Sequence, residues 1–187
     1  MKIYFAGPDV FRHDYLDVVA EIRCLCSSRG LTALVPGNDG LTDPQAIYEK
    51  NVFMIREADG VIANLDPFRS PVEPDSGTVF EMGFARALGK WVIARISDAR
   101  SYRAKLEGNP RCPCGDGALC LHGAAVEDFG LPLNLMAFFS ADSLAGSLAE
   151  AVDMAAALSV SKTVGFSRAP GVRAPKDEKA AKRAAGR

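Results

Sequence analysis

At 187 residues with 48% hydrophobic content and a net charge of −1, the chain can bury one good core, and little more than one domain is expected. Of its 22 Lys and Arg, 8 fall in the last 26 residues, which hold 2 of the 23 Asp and Glu, so the body up to residue 161 is acidic at 14 against 21. An acidic body argues against a nucleic-acid binder, which needs a basic face on the fold, and no apolar run approaches the length that spans a membrane.

Strands and helices alternate along the chain. Lys2-Ile3-Tyr4-Phe5-Ala6 reads as a strand that begins at once with no signal peptide ahead of it, so a cytoplasmic protein with free thiols is expected. Residues 14–29 read as an amphipathic helix stopped by Gly30, and 31–35 as a strand closed by Pro36-Gly37. Asp43-Pro44 is an N-cap followed by proline at the first helical position, which starts a helix over 44–57. Gly60-Val61-Ile62-Ala63-Asn64-Leu65 reads as a short apolar run, as expected of a parallel strand covered on both faces. Prolines 67, 71 and 74 then forbid a regular element and predict a loop over 66–75. A helix over 77–88 and a strand over 90–96 follow. Residues 98–130 are rich in Gly, Pro and Cys without periodicity and read as a long loop, either functional or mobile, and a last strand near 136–140 precedes a helix over 142–158. Strand and helix in repetition predict an α/β fold: a five-stranded parallel sheet in flavodoxin-like order, with helices on both faces and right-handed crossovers. The fold is expected to occupy residues 1–160. The basic stretch 161–187 lacks the apolar content that offsets ordering entropy and is expected to be disordered, as a solubilising extension or a docking segment.

The most informative stretch is Asp75-Ser76-Gly77-Thr78-Val79-Phe80-Glu81-Met82-Gly83-Phe84-Ala85. At helical period Glu81 shares a face with Gly77, Thr78, Phe84, Ala85 and Leu88, the stripe that would pack on the sheet. An ionised carboxylate is costly to bury, so Glu81 is either held there for chemistry or caps a local polar network. In open α/β sheets ligands bind outside the carboxyl ends of the strands, which places the 66–75 loop and the start of the next helix at the functional edge. Asp75 and Glu81 then share one pocket.

Other chemistries find less support. Ala6-Gly7-Pro8-Asp9-Val10-Phe11 has one glycine where a dinucleotide fingerprint needs three, and there is no P-loop. His13 and His122 stand in no motif, which disfavours a Ser or Cys triad. Cys112-Pro113-Cys114 with Cys120 and His122 is the one soft-ligand cluster, but a single residue separates the first two cysteines where structural zinc sites use two. No metal and no cofactor are expected. A two-carboxylate mechanism is the best-supported enzyme chemistry.

Four segments in order, Ile3-Tyr4-Phe5-Ala6-Gly7-Pro8, Asn51 to Asp66, Glu73-Pro74-Asp75-Ser76-Gly77-Thr78-Val79-Phe80-Glu81-Met82-Gly83 and Gly130-Leu131-Pro132-Leu133-Asn134-Leu135-Met136, resemble the nucleoside 2-deoxyribosyltransferases, the purine-preferring members above all. The resemblance covers residues 1–158 and includes the six-residue spacing from Asp75 to Glu81. It implies transfer of 2-deoxyribose between nucleobases by double displacement, with a deoxynucleoside and a free base as substrates. Glu81 is then the nucleophile, Tyr4 the hydroxyl that holds it, and Asp75 the aspartate that assists nucleoside binding and helps protonate the leaving base. Gly7, Asn51, Asp66 and Gly77 match the substrate pocket. Asn51 stands where some members carry a second aspartate as proton donor, and an amide cannot serve as that acid. Asn134 and Met136 match residues that reach into a neighbouring subunit's pocket, which implies a homo-oligomer of at least two chains; read without the resemblance, Asn134 is a turn asparagine at a strand entry. Members with a C-terminal tyrosine place it near the sugar, whereas this chain reads Ala185-Gly186-Arg187. Two alternatives stay open: hydrolysis of deoxynucleoside 5′-monophosphates, with Arg12, Arg69 and Ser70 as phosphate ligands, and a non-catalytic nucleotide-binding module.

Overall fold

The computed structural model describes residues 1–37, 40–106 and 126–163. Five parallel strands, β1 (Lys2–Ala6), β2 (Thr32–Leu34), β3 (Gly60–Asn64), β4 (Trp91–Arg95) and β5 (Ser143–Ala145), form one sheet in the order β2-β1-β3-β4-β5. This is the doubly wound order predicted from the alternation of elements. Its topological switch point lies between β1 and β3, where successive crossovers depart to opposite faces.

Each face has its own helices and its own core. Tyr4, Val61, Ala63 and Val92 face α2 (Pro44–Glu57), α3 (Ser76–Ala87) and the short α5 (Leu135–Ser140), packing with Ile55, Met82 and Phe138. Ile3, Phe5, Ile62 and Ile93 face α1 (Tyr15–Ser27) and α6 (Leu148–Thr163), packing with Ile22 and Val152. All five residues of β3 are buried, which is why the strand reads as an apolar run up to Asn64 at its end. The pairings Ala6↔Ala63 and Ala63↔Ala94 set a row of alanines across the carboxyl ends of β1, β3 and β4, thinning the sheet layer where the crevice opens.

Local signals explain the helix starts. The Asp43 side chain accepts from the Ala46 amide and Pro44 follows it, as predicted. The 66–75 segment holds no helix or strand and is shaped by its own polar groups: Ser70 Oγ accepts from the amides of Val72 and Glu73, and Phe68 N donates to Glu73 O.

Three expectations need correction. Residues 136–140 are not a strand but lie in α5; a short apolar run fits helix or strand equally by periodicity, and here the Asn134 side chain caps the Met136 amide and starts a helical turn. The fifth strand lies at Ser143–Ala145, and the last helix starts at Leu148, not 142. Within the aperiodic 98–130 stretch a short helix, α4 (Tyr102–Leu106), also forms, while a 3₁₀ turn over Pro8–Phe11 follows β1. The cysteine cluster at 112–122 and nearly all of the basic 161–187 stretch fall outside the described residues; α6 itself runs on to Thr163.

Candidate active site

Tyr4 lies midway along β1, wholly buried on the α2/α3 face. Its hydroxyl donates to Glu81 Oε1 at 2.5 Å, joining the first strand to the second turn of α3. Glu81 stands at the edge of the helix's packed stripe. That stripe is Thr78, Met82 and Ala85; Gly77 and Leu88, expected within it, are exposed, so α3 is rotated by about one residue from the predicted face. The rotation puts the carboxylate at the boundary of the core, half-buried, and not beneath it.

Burial lifts the Glu81 carboxyl from its ordinary 4.5 to about 7; the Tyr4 hydrogen bond works in the opposite direction, and the nearby Asp75 charge adds to the rise. Burial and the Glu81 charge raise the Tyr4 phenol far above its usual range, so the shared proton stays on the tyrosine. The pair is therefore a carboxylate held by a neutral donor and able to ionise near neutral pH.

Asp75 is the N-cap of α3. Its Oδ2 accepts from Thr78 N at 2.9 Å and Thr78 Oγ1 at 3.0 Å, while Oδ1 has no protein partner among the described residues. A Cβ at Gly77 would come within 2.9 Å of Oδ2, so glycine at 77 lets the cap fold back against the helix start. The structure thus brings Tyr4, Glu81, Asp75 and Gly77 together.

The remaining predicted residues are spread around this centre. Asn51 is on α2, which packs beside α3, and its Oδ1 is buried with no hydrogen-bond partner among the described residues. Such an orphan acceptor calls for an explanation, and a ligand donor would supply one. Gly7 follows β1, at a point where a Cβ would meet Asn64 Cβ at 2.9 Å. Asp66 is occupied structurally: Oδ1 accepts from Ser97 N at 2.7 Å and Oδ2 faces Arg95 at 3.5 Å, pinning the crevice loop to the end of β4. Asn134 caps α5, and Met136 stands on the surface, 70% exposed.

Sequence reasoning missed Asn64 and Asp9, whose side chains meet at 2.9 Å across the switch point. The signal was a polar residue ending the otherwise apolar Gly60-Val61-Ile62-Ala63-Asn64 strand. A cavity of about 550 Å³ lies on the α1/α6 side of this contact, lined by Phe5, Asp9, Ile22, Asn64 and Leu148 and not by Glu81.

A parallel sheet with a half-buried carboxylate at its carboxyl edge, titrating near neutrality beside a second carboxylate, is the arrangement of a small α/β enzyme. The family model for nucleoside 2-deoxyribosyltransferase matches residues 3–136, and the chain belongs to that family. The solved 2-desoxiribosyltransferase from Leishmania mexicana is 36% identical, covers 83% of this chain and 97% of its own, and superposes with a TM-score of 0.72. A conserved protein from Enterococcus faecalis V583 is 24% identical over 83% of this chain and 98% of its own, with a TM-score of 0.51, and shares the fold. An uncharacterized protein of Schizosaccharomyces pombe is 31% identical over 123 residues; the match takes in 61% of this chain and 58% of the yeast protein's length.

The perturbed carboxyl has a measurable consequence for stability. Because its folded value lies above its unfolded one, Glu81 contributes stability that is fully present below about pH 4.5 and is lost as pH rises through about 7. Glu81→Gln is expected to unfold at higher urea than the parent at pH 8.5, by on the order of 2 kcal/mol, with most of the gap gone at pH 5. Equal gaps at both pH values contradict the buried-carboxylate geometry.

Proposed function

We propose that this protein transfers 2-deoxyribose between purine bases through a covalent glycosyl-glutamate intermediate. The observation that carries the proposal is the 2.5 Å bond from Tyr4 to Glu81 at the mouth of the crevice, with Asp75 beside it. Ionised Glu81 attacks the anomeric carbon, the glycosidic C–N bond breaks, and its electron pair leaves with the base, which takes up a proton. A second base then attacks from the vacated face through a ring nitrogen, whose proton is given up to replace the one taken by the first base; the glycosyl ester breaks, Glu81 is released as carboxylate, and two inversions give net retention. A sugar without a 2-hydroxyl leaves the oxocarbenium-like transition state less destabilised, so deoxyribosides are the preferred donors.

The purine preference rests on Asn51. With an amide at 51 that position cannot protonate the leaving base, and a purine accepts its proton on the ring with help from Asp75. Oligomer formation has separate support: Met136 and Phe139 on α5 and Phe80 on the adjoining α3 are exposed apolar side chains, the kind of surface that marks an interaction site. In this reading Asn134 and Met136 complete a neighbouring subunit's pocket, and residues 1–160 form the catalytic unit. No helix among the described residues is long and apolar enough to cross a membrane, and the reading places the enzyme in the cytoplasm.

Hydrolysis of nucleoside 5′-monophosphates is disfavoured by the state of its candidate phosphate ligands. Arg12 is engaged by Asp14 through two bonds of 2.8 and 2.7 Å, the Arg69 guanidinium lies over the Phe11 and Phe68 rings, and Ser70 Oγ already accepts two amides.

Two experiments test the proposal. Incubated with deoxyinosine and no acceptor, the enzyme is expected to gain the mass of one deoxyribosyl unit on the peptide holding Glu81, and Glu81→Ala is expected to lose both this adduct and base exchange. An adduct elsewhere, or retained exchange in Glu81→Ala, rejects Glu81 as nucleophile. For the shared pocket, inactive Glu81→Ala and Asn134→Ala chains are mixed under conditions that exchange subunits. Mixed dimers hold one pocket with both defects and one with neither, so part of the activity returns; no recovery, with exchange confirmed, places Asn134 in its own chain's pocket.

A further inference from the structure

Where β1 and β3 end, two loops leave the sheet in opposite directions, and one side chain touches both. Asn64 closes β3 and is 7% exposed. Its Nδ2 donates to Asp9 Oδ2 at 2.9 Å, on the turn that follows β1, and its Oδ1 accepts from Asp66 N at 3.1 Å, at the start of the crevice loop. The amide's donor and acceptor are thus divided between the two loops. A carboxylate at 64 would face Asp9 with like charge, and an apolar residue would leave both loop groups unpaired.

Gly7 is seated on this bridge. The pairing Ala6↔Ala63 brings position 7 against Asn64, and a Cβ at Gly7 would lie 2.9 Å from both Asn64 Cβ and Asp9 Oδ2. On its other side the same segment borders the cavity of about 550 Å³, whose lining includes Pro8, Asp9 and Phe11. A second tie lies above: Phe11 stacks on Phe68 at 5.3 Å, and Arg69, in the left-handed region at φ 54°, sets its guanidinium 4.9 and 4.6 Å from the two rings. With a void on one side and an exposed stack on the other, the Asn64 bridge is the buried polar contact that fixes the height of Gly7.

We propose that Asn64 is a positioning residue that locks the β1–α1 loop against the crevice loop and so sets the position of Gly7 beside the Tyr4–Glu81 pair. The proposal rests on the transferase reading, in which Gly7 belongs to the substrate pocket. Losing the bridge lets the loop sink toward the cavity, and a misplacement of about 1 Å at a positioning group costs on the order of 100-fold in rate.

The test reverses the polarity of the bridge. Asn64→Asp sets two carboxylates face to face while still accepting from Asp66 N; combined with Asp9→Asn, it restores one donor and one acceptor across the same gap. In the full-length chain, Asn64→Asp is expected to lower kcat/KM for base exchange by about 30-fold and to speed amide exchange over residues 5–12, and the double variant is expected to return both to within about threefold of the parent. If Asn64→Asp fails to fold, Asp9→Ala cuts the same bond from the loop side, with an expected loss of about tenfold. Asn64→Asp within about twofold of the parent, or a double variant that recovers nothing, overturns the proposal. A parent enzyme without base exchange refutes the transferase reading instead, and amide exchange over residues 5–12 in the same variants then decides the role of Asn64 on its own.

Discussion

The hydrogen bond between Tyr4 and Glu81 couples the first strand to a helix 77 residues further along the chain, and the rest of the site is arranged around it. Burying a carboxylate costs free energy; one neutral donor offsets part of that cost and leaves the group titrating near neutrality. A cationic partner would hold the carboxylate ionised but would also compete for its charge. A fully buried site would keep it protonated. Placed at the edge of the packed stripe and bound by tyrosine, Glu81 is ionised in much of the population near neutral pH and keeps one oxygen clear of that bond.

The elements carrying this pair are fixed from behind. On α3, Asp75 caps the amino end, and at the other end Arg86 pairs at 2.6 Å with Asp142, a buried aspartate that also accepts from Val92 N at the start of β4. The helix is thus tied to the sheet away from the crevice. The crevice loop is pinned through Asp66 at its start and Asp75 at its end, and its prolines limit what lies between. Loops held at both ends by buried or capped polar groups can present functional side chains without belonging to the core.

Much of this was legible in the sequence, and the failures have physical causes. Strand β3 announced itself because burial on both faces favours apolar residues up to its last position, Asn64, and α2 because Asp43-Pro44 is a local cap. Glu81 stood out through helical period, although the face was misjudged by about one residue: Leu88 looked like core but lies at the helix end, 44% exposed, whereas Met82 takes the buried position. The last strand was displaced because Leu135–Ser140 is apolar enough for either element, and the deciding contact, Asn134 to the Met136 amide, is local and polar. The Asn64–Asp9 bridge joins residues 55 apart, and no periodicity encodes such a contact. Tyr4 as partner of Glu81 is likewise non-local and was reached by resemblance to a family, not by pattern.

The family sets the broad class of chemistry, and this chain's own residues bear on the rest: an amide at 51, a carboxylate pair at 75 and 81, and arginines already engaged near the first loop. The claim on which all of this depends is that Glu81 is a half-buried carboxylate tuned by Tyr4. A ¹³C NMR titration of the Glu81 carboxyl, in the parent and in Tyr4→Phe, measures it directly. The account predicts a midpoint near 7 in the parent and a higher one in Tyr4→Phe, because the hydrogen bond that favours the ionised form is gone. A midpoint at the ordinary 4.5, or one that does not move when the hydroxyl is removed, would contradict it.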